Sequence, residues 1–374
     1  MMMLCTSLSP SLTSAKQRQI PLERPVPLIE IPSHHASAAC LIDVASKRVL
    51  YAFHANDKRR IASLTKIVTA YVATKTHRLH DVFLVSRVAA RQEGSSIYLK
   101  QGEKVRLQDL LYGMMLRSGN DAAMTIAQGL AGSQEQFAMR MNQAMAALHL
   151  THSHFVNPHG LDHANHYSSA YDMARVAAEA LGNPFFRQLV RGKKHSIPRG
   201  LSYEGVWINK NKMLWMMPEA DGIKTGYTRL SGRCLASSAT LSGRQVALVV
   251  LNDPTDWIDS KRLLTYGLTA YHNISLRQLV TIPQVLPVQD GIRSYVTIHY
   301  KNDMGYPLTL REVQKVKTYV HIRSFLRAPV QKGMLVGYVE AVLEGKRIVY
   351  QPIETNAMVL RKSGWQRFMD RFSM

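Results

Sequence analysis

The chain has 374 residues, 46% of them hydrophobic and 20% charged, a balance that excludes a disordered polymer and leaves room for two domains. No run of 18 apolar residues occurs, so no bilayer-spanning helix is expected, and three scattered cysteines (Cys5, Cys40, Cys234) exclude a disulfide scaffold. A formal net charge of +21 implies an anionic partner or surface; the basic residues are dispersed and form no arm, which argues against nucleic acid and for anionic lipid or envelope polymers.

Residues 1–36 read as a lead-in. "MMMLCTSLSPSLTSAK" lacks a charged start but has small residues before Lys16, as the remnant of a signal peptide would, and "IPLERPVPLIEIP" is Pro-rich and aperiodic. "AACLIDVASKRVLYAFHAND" predicts a hairpin turning at Ala45-Ser46-Lys47. From Ala62, "ASLTKIVTAYVATK" predicts a helix that carries Ser63 and Lys66 on one face. A mainly helical region follows to about residue 190. In it "LQDLLYGMMLRSGNDAAMTIAQGLA" predicts two helices broken at Ser118-Gly119, and Ser169 with Asp172 predicts the cap of another.

"HLTHSHFVNPHGLDHANHY" (149–167) is dense in histidine but matches no familiar zinc spacing; it reads as a long loop, and no metal or cofactor is expected. "RCLASSAT" and "RQVALVVLN", joined by Leu241-Ser242-Gly243, predict strands, and "SKRLLTYGLTAYH" a helix. Strands, then helices, then strands give an α/β (α+β) domain over 37–274, with an antiparallel sheet covered by helices. Beyond 275, "LVTIPQV", "YVTIHY", "KTYVHI", "LVGYVEAVL" and "RIVYQPI" predict a small all-β domain to 360. At the end, Trp365, Phe368, Met369 and Phe372 form an apolar stripe flanked by Arg361, Lys362, Arg367 and Arg371, the pattern of an interfacial helix over 361–374.

Three triplets carry chemistry. Ser63 is the only serine with lysine three residues on, Ser118-Gly119-Asn120 the only Ser-x-Asn, and Lys224-Thr225-Gly226 the only Lys-Thr-Gly. A lysine one helical turn from a serine can take the hydroxyl proton if burial keeps it neutral.

In this order, and with "GSSIYLKQGEKVRLQDLLYGMMLRSGNDAA", "FVNPHGLDHANHYSSAYDMA" and "DGIKTGYT", the triplets resemble those of the penicillin-binding protein and serine β-lactamase superfamily. The resemblance is closest to the low-molecular-weight D-alanyl-D-alanine carboxypeptidases. It implies a β-lactamase/transpeptidase-like fold, hydrolysis of peptidoglycan stem peptides, binding of β-lactams, and an extracytoplasmic enzyme held on the membrane by its C-terminal helix. It further implies Ser63 as nucleophile, Lys66 as general base and Ser118 as proton relay, with Asn120, Lys224, Thr225, Gly226 and Tyr227 binding substrate. Gly226 would leave room for the substrate strand, and the N–H groups of Ser63 and Tyr227 would form the oxyanion hole.

One departure stands out. Many relatives place an arginine about thirty residues after Lys-Thr-Gly to support the substrate carboxylate, where this chain has Asp256-Trp257. Arg229 and Arg233 are the nearby substitutes. A class A-like β-lactamase, whose deacylating glutamate would have to come from "EALGN" at 179–183, and an inactive envelope-binding protein are the alternatives.

Overall fold

The computed structural model describes residues 30–196, 206–302 and 305–366. Most of the lead-in and of the C-terminal apolar stripe therefore lies outside the described residues. The chain divides into two compact units, one spanning Ile29–Ala270 and one beginning at Tyr271.

The first unit is built on a five-stranded antiparallel sheet. Its order is Val49–Phe53, Ala38–Asp43, Arg244–Leu251, Gly232–Leu241 and Ala220–Thr228. Strand 244–251 pairs with 38–43 on one side and with 232–241 on the other, so the first and last thirds of the unit meet in its centre. Ala38–Asp43 is buried at every position, because both faces of the sheet are covered. Helix Ala170–Ala180 packs on one face; helix Asp256–Thr269 lies on the other, so close that a Cβ on Gly267 would stand 2.6 Å from Leu41. The predicted Leu241-Ser242-Gly243 turn is present, with Ser242 and Gly243 both at positive φ (50° and 77°), as a two-residue hairpin demands. The predicted helix break is present too: Leu107–Arg117 ends at Ser118, and Asn120–Ala131 begins two residues later.

Two expectations are corrected. Ser63 is not in the α-helix. It sits in a 3₁₀ turn, Ala62–Leu64, and the α-helix is Thr65–Thr74. Ala62 has φ 46°, which the helical path does not allow, and its carbonyl accepts the Thr65 hydroxyl at 2.9 Å. "LVTIPQV" is not a strand. Ser275 and Gln278 form a capping box that winds Leu276–Leu279 into one helical turn, Val280 makes a single bridge, residues 281–283 are irregular, and the next strand starts at Val285.

The second unit carries a six-stranded sheet. Its order is Lys317–Ile322, Leu335–Leu343, Lys346–Thr355, Tyr295–Tyr300, Val285–Gln289 and Leu326–Arg327. Its core is aliphatic, around Val296, Val320, Val339, Ala341 and Ile353. Gly291 and Arg361 form a bridge and Lys362 N–H donates to the Asp290 carbonyl, so backbone pairing in this unit reaches Lys362.

Candidate active site

The cleft, about 290 Å³ in volume, is lined among others by Ser63, Ser118, Thr225, Gly226 and Tyr227, five residues expected from the sequence. Three segments far apart in the chain deliver them. The Ala62–Leu64 turn brings Ser63, the break between two helices brings Ser118, and the edge strand Ala220–Thr228 brings the rest.

Lys66 and Lys224 stand behind the lining, each buried to about 1% exposure or less. Lys66 Nζ lies 3.0 Å from Ser63 Oγ, 2.7 Å from Asn120 Oδ1 and 2.7 Å from the His159 carbonyl oxygen. The last two atoms can only accept. Asn120 cannot be turned round, because its Nδ2 donates to the Glu93 carbonyl at 2.5 Å, so Oδ1 faces the amine. A neutral amine has two N–H groups and one lone pair. With both hydrogens committed to Asn120 and His159, the lone pair is left for the Ser63 hydroxyl. Burial, first, and then the charges of Lys224 and Lys210 hold the Lys66 pKa well below its ordinary 10.5, against the pull of Asp121. Geometry and electrostatics thus agree on an amine that can accept a proton from Ser63.

Lys224 Nζ donates to the Thr225 carbonyl at 2.9 Å. Burial, and next the charge of Lys210, lower its pKa to about 7. Ser118 is held at φ 67°, ψ 29° as the left-handed end of its helix, and its hydroxyl makes no hydrogen bond with another described residue. A mobile hydroxyl at this point of the cleft can both accept and donate.

Gly226 lies tight against the Ser63 turn. A Cβ there would meet Ile61 O and Ser63 N at 3.2 Å and Ala62 Cβ at 3.3 Å. The missing side chain makes room for the turn that carries Ser63. Tyr227 is 66% exposed and sits opposite Arg233 in the strand register. Of the two arginines named above, Arg233 lines the cleft, bonded to Asp256.

The sequence reading missed the framework behind these groups. His166 Nε2 stands 2.8 Å from Thr65 Oγ1 while its Nδ1 accepts the Val156 N–H, so the ring is neutral, donates to Thr65, and through Thr65 fixes the Ala62 carbonyl. Burial drives its pKa down to about 4, and that of His159 to about 3. Gly160, at φ 89°, leaves no space for a Cβ, which would stand 1.9 Å from Ala62 O. The histidine-rich loop is therefore a brace under the Ser63 turn; among the described residues, no cluster of three His, Cys, Asp or Glu could hold a metal. Asp121 accepts from Ser96 Oγ and from the N–H groups of Ile97 and Leu99, fixing the loop that closes the cleft beside Ser95. Lys210 also lines the cleft, and no residue spacing signalled it. Glu179, the one glutamate offered for a β-lactamase reaction, is instead in a helix and ion-paired with Lys47 and Arg175.

Residues 26–255 match the D-alanyl-D-alanine carboxypeptidase family, and residues 279–359 match the penicillin-binding protein 5 C-terminal domain. The chain belongs to the D-alanyl-D-alanine carboxypeptidase family. It is a low-molecular-weight penicillin-binding protein and a serine-type hydrolase. Among its relatives, the D-alanyl-D-alanine carboxypeptidase DacA of Escherichia coli is 32% identical over 86% of this chain and 83% of its own length. DacF of Bacillus subtilis is 28% identical over 91% and 89%. Penicillin binding protein 5 from Haemophilus influenzae superposes with a TM-score of 0.71 at 27% identity, over 89% of this chain and all of the other.

Proposed function

We propose that this enzyme removes the terminal D-alanine from peptidoglycan stem pentapeptides through an acyl-enzyme on Ser63. The observation that carries the reading is the hydrogen bonding of Lys66, which leaves one lone pair and aims it at Ser63 Oγ. Lys66 takes the hydroxyl proton as Ser63 attacks the peptide carbonyl, the C–N bond to the last residue breaks, and Ser118 passes a proton to the departing amine. The N–H groups of Ser63 and Tyr227 receive the oxyanion. Asn120 orients Lys66, while Lys224 and Thr225 meet the substrate carboxylate. The substrate lies as an added strand along Ala220–Thr228, the sheet edge with no further strand beyond it among the described residues.

Labelling with a fluorescent penicillin followed by peptide mass spectrometry tests this. The adduct is expected on Ser63 and is abolished in Ser63→Ala; an adduct elsewhere overturns the assignment. Incubation with a pentapeptide and an acceptor amine should release free D-alanine in excess of the transfer product.

The enzyme works outside the cytoplasmic membrane, where its substrate is, and rests on the anionic lipid surface through its C-terminal helix. In support, Ser363 and Gln366 bond reciprocally as a helix cap and Trp365 is 70% exposed. The net charge of +21 favours an anionic surface. No helix among the described residues is long and apolar enough to cross a membrane. Deleting 363–374 should release the protein from anionic vesicles and leave hydrolysis of soluble peptide unchanged; a truncated protein that still pellets at high salt refutes this attachment.

A further inference from the structure

We propose that a second cavity, beside the cleft, receives the side chain of the stem's third residue and selects one that ends in a carboxylate. The inference rests on the carboxypeptidase reading above. The cavity, about 560 Å³ in volume, is walled by Ile97, Tyr98, Val206, Trp207 and Ile208 and carries Arg117. Two pairs of chain neighbours join it to the cleft: Ser95 and Ser118 line the cleft, Ser96 and Arg117 the cavity. The residue attacked and the residue released are both D-alanine, whose side chains are single methyl groups. The third residue is therefore the first one back from the cut whose side chain is long enough to fill such a space.

The walls suit a hydrocarbon stem. Trp207 is buried, but Tyr98, Val206 and Ile208 are 71%, 44% and 58% exposed, so apolar surface is left for a ligand to cover. Tyr98 is set in the left-handed region, at φ 59°. Its N–H donates to Ser96 Oγ at 2.8 Å, and that hydroxyl donates to Asp121 Oδ2 at 2.6 Å. The wall beside the cleft is thus held in place before any ligand arrives.

Arg117 decides what the stem must end in. It is the last residue of helix Leu107–Arg117, and among the described residues its one hydrogen bond runs from Nη1 to the Ile208 carbonyl, at 3.4 Å. No aspartate or glutamate lines the cavity. Burial, and next the charge of Arg117, lower the pKa of Lys210, which lines the cleft, so the two cations feel one another. Among the described residues neither has an acidic partner. A carboxylate brought to Arg117 relieves this repulsion and accepts two parallel bonds from the guanidinium. A lysine ammonium brought to the same place adds a third positive charge and has only donors to offer.

The test measures D-alanine release by the full-length enzyme from three acyl-X-D-Ala-D-Ala peptides. X is L-2-aminopimelate joined through its α-carboxyl, L-norleucine or L-lysine, which end the side chain in a carboxylate, a methyl or an ammonium. kcat/KM should fall in that order, the aminopimelyl peptide exceeding the lysyl one by about 10-fold or more, as charge-assisted hydrogen bonds imply. Arg117→Gln should bring this ratio close to one, mainly through KM, with the norleucyl peptide gauging any general damage. Ile208→Glu, at an exposed position, should shift the preference toward the lysyl peptide, and it carries the comparison if Arg117→Gln does not fold. A ratio near one in the unsubstituted enzyme, or a ratio that either folded variant leaves unchanged, overturns the proposal. The same order, read as protection of Ser63 from a fluorescent penicillin, tests the cavity even if no D-alanine is released, an outcome that refutes the carboxypeptidase reading alone.

Discussion

The two units of the chain spend burial in opposite ways. Around Ser63 the first unit buries two lysines, Lys66 and Lys224, and near them Asp121, His159 and His166. In the second, Gln351 and Thr355 are the buried polar side chains among the described residues, and the rest of the core is aliphatic apart from Tyr300. Buried amines cost free energy that aliphatic side chains would not. On the proposed mechanism the first unit carries that cost because a lysine must be neutral to accept a proton, and the β unit has no such demand.

Lys66→Met breaks the contrast most sharply. Hydrolysis should fall by about 10²–10⁴-fold, the usual contribution of a positioned base. Thermal stability should rise at the same time, because an amine buried at 0% exposure gives way to an apolar chain of similar length. A calorimetric scan beside an activity assay checks both; loss of stability would mean the amine is repaid in full by Asn120 and His159.

Gly160→Ala probes the brace in place of the base. Its Cβ clashes with the Ala62 carbonyl at a positive φ, so the turn under Ser63 must move. Activity should drop by about 10²-fold, as displacements near 1 Å do elsewhere, with Lys66 untouched.

Ile353→Ala reverses the pattern. The residue is fully buried in the β unit, and its truncation should cost about 2–5 kcal/mol of that unit's stability in denaturant titrations. Hydrolysis of soluble peptide under native conditions should not change.

The smallest effect is one of pH. Lys224 has a folded pKa of about 7 against an ordinary 10.5. Between those values the unfolded chain binds more protons than the folded one, so stability should rise with pH across that interval and level off beyond it. Over the same range kcat/KM for carboxylate substrates should decline as Lys224 loses its charge in the free enzyme, while a substrate capped as its C-terminal amide declines less.

The three triplets were legible because their residue types are rare in those combinations and their spacings are local. Strand and helix order was legible from periodicity. What stayed hidden depends on distant chain: the depth of Lys66, the pairing of Arg233 with Asp256 across 23 residues, and the service of Gly226 to the Ala62 turn. The histidine-rich loop was noticed for a metal it does not fit, since composition cannot reveal that two of its rings are neutral and one braces a threonine. "LVTIPQV" failed because Leu279 closes a capped helical turn and Pro283, which has no N–H to give a ladder, comes just before the strand that begins at Val285.

By accepting from Asn120 Nδ2, the Glu93 carbonyl gives the relay a polarity: amide hydrogen toward Glu93, amide oxygen toward Lys66. Asn120→Asp keeps the shape and abolishes that direction, setting an anion against both a carbonyl and the amine. Lys66 would then hold its proton as a permanent counter-ion, and the enzyme would regain a base only in alkaline solution. One main-chain oxygen thus fixes which end of the Asn120 amide meets Lys66.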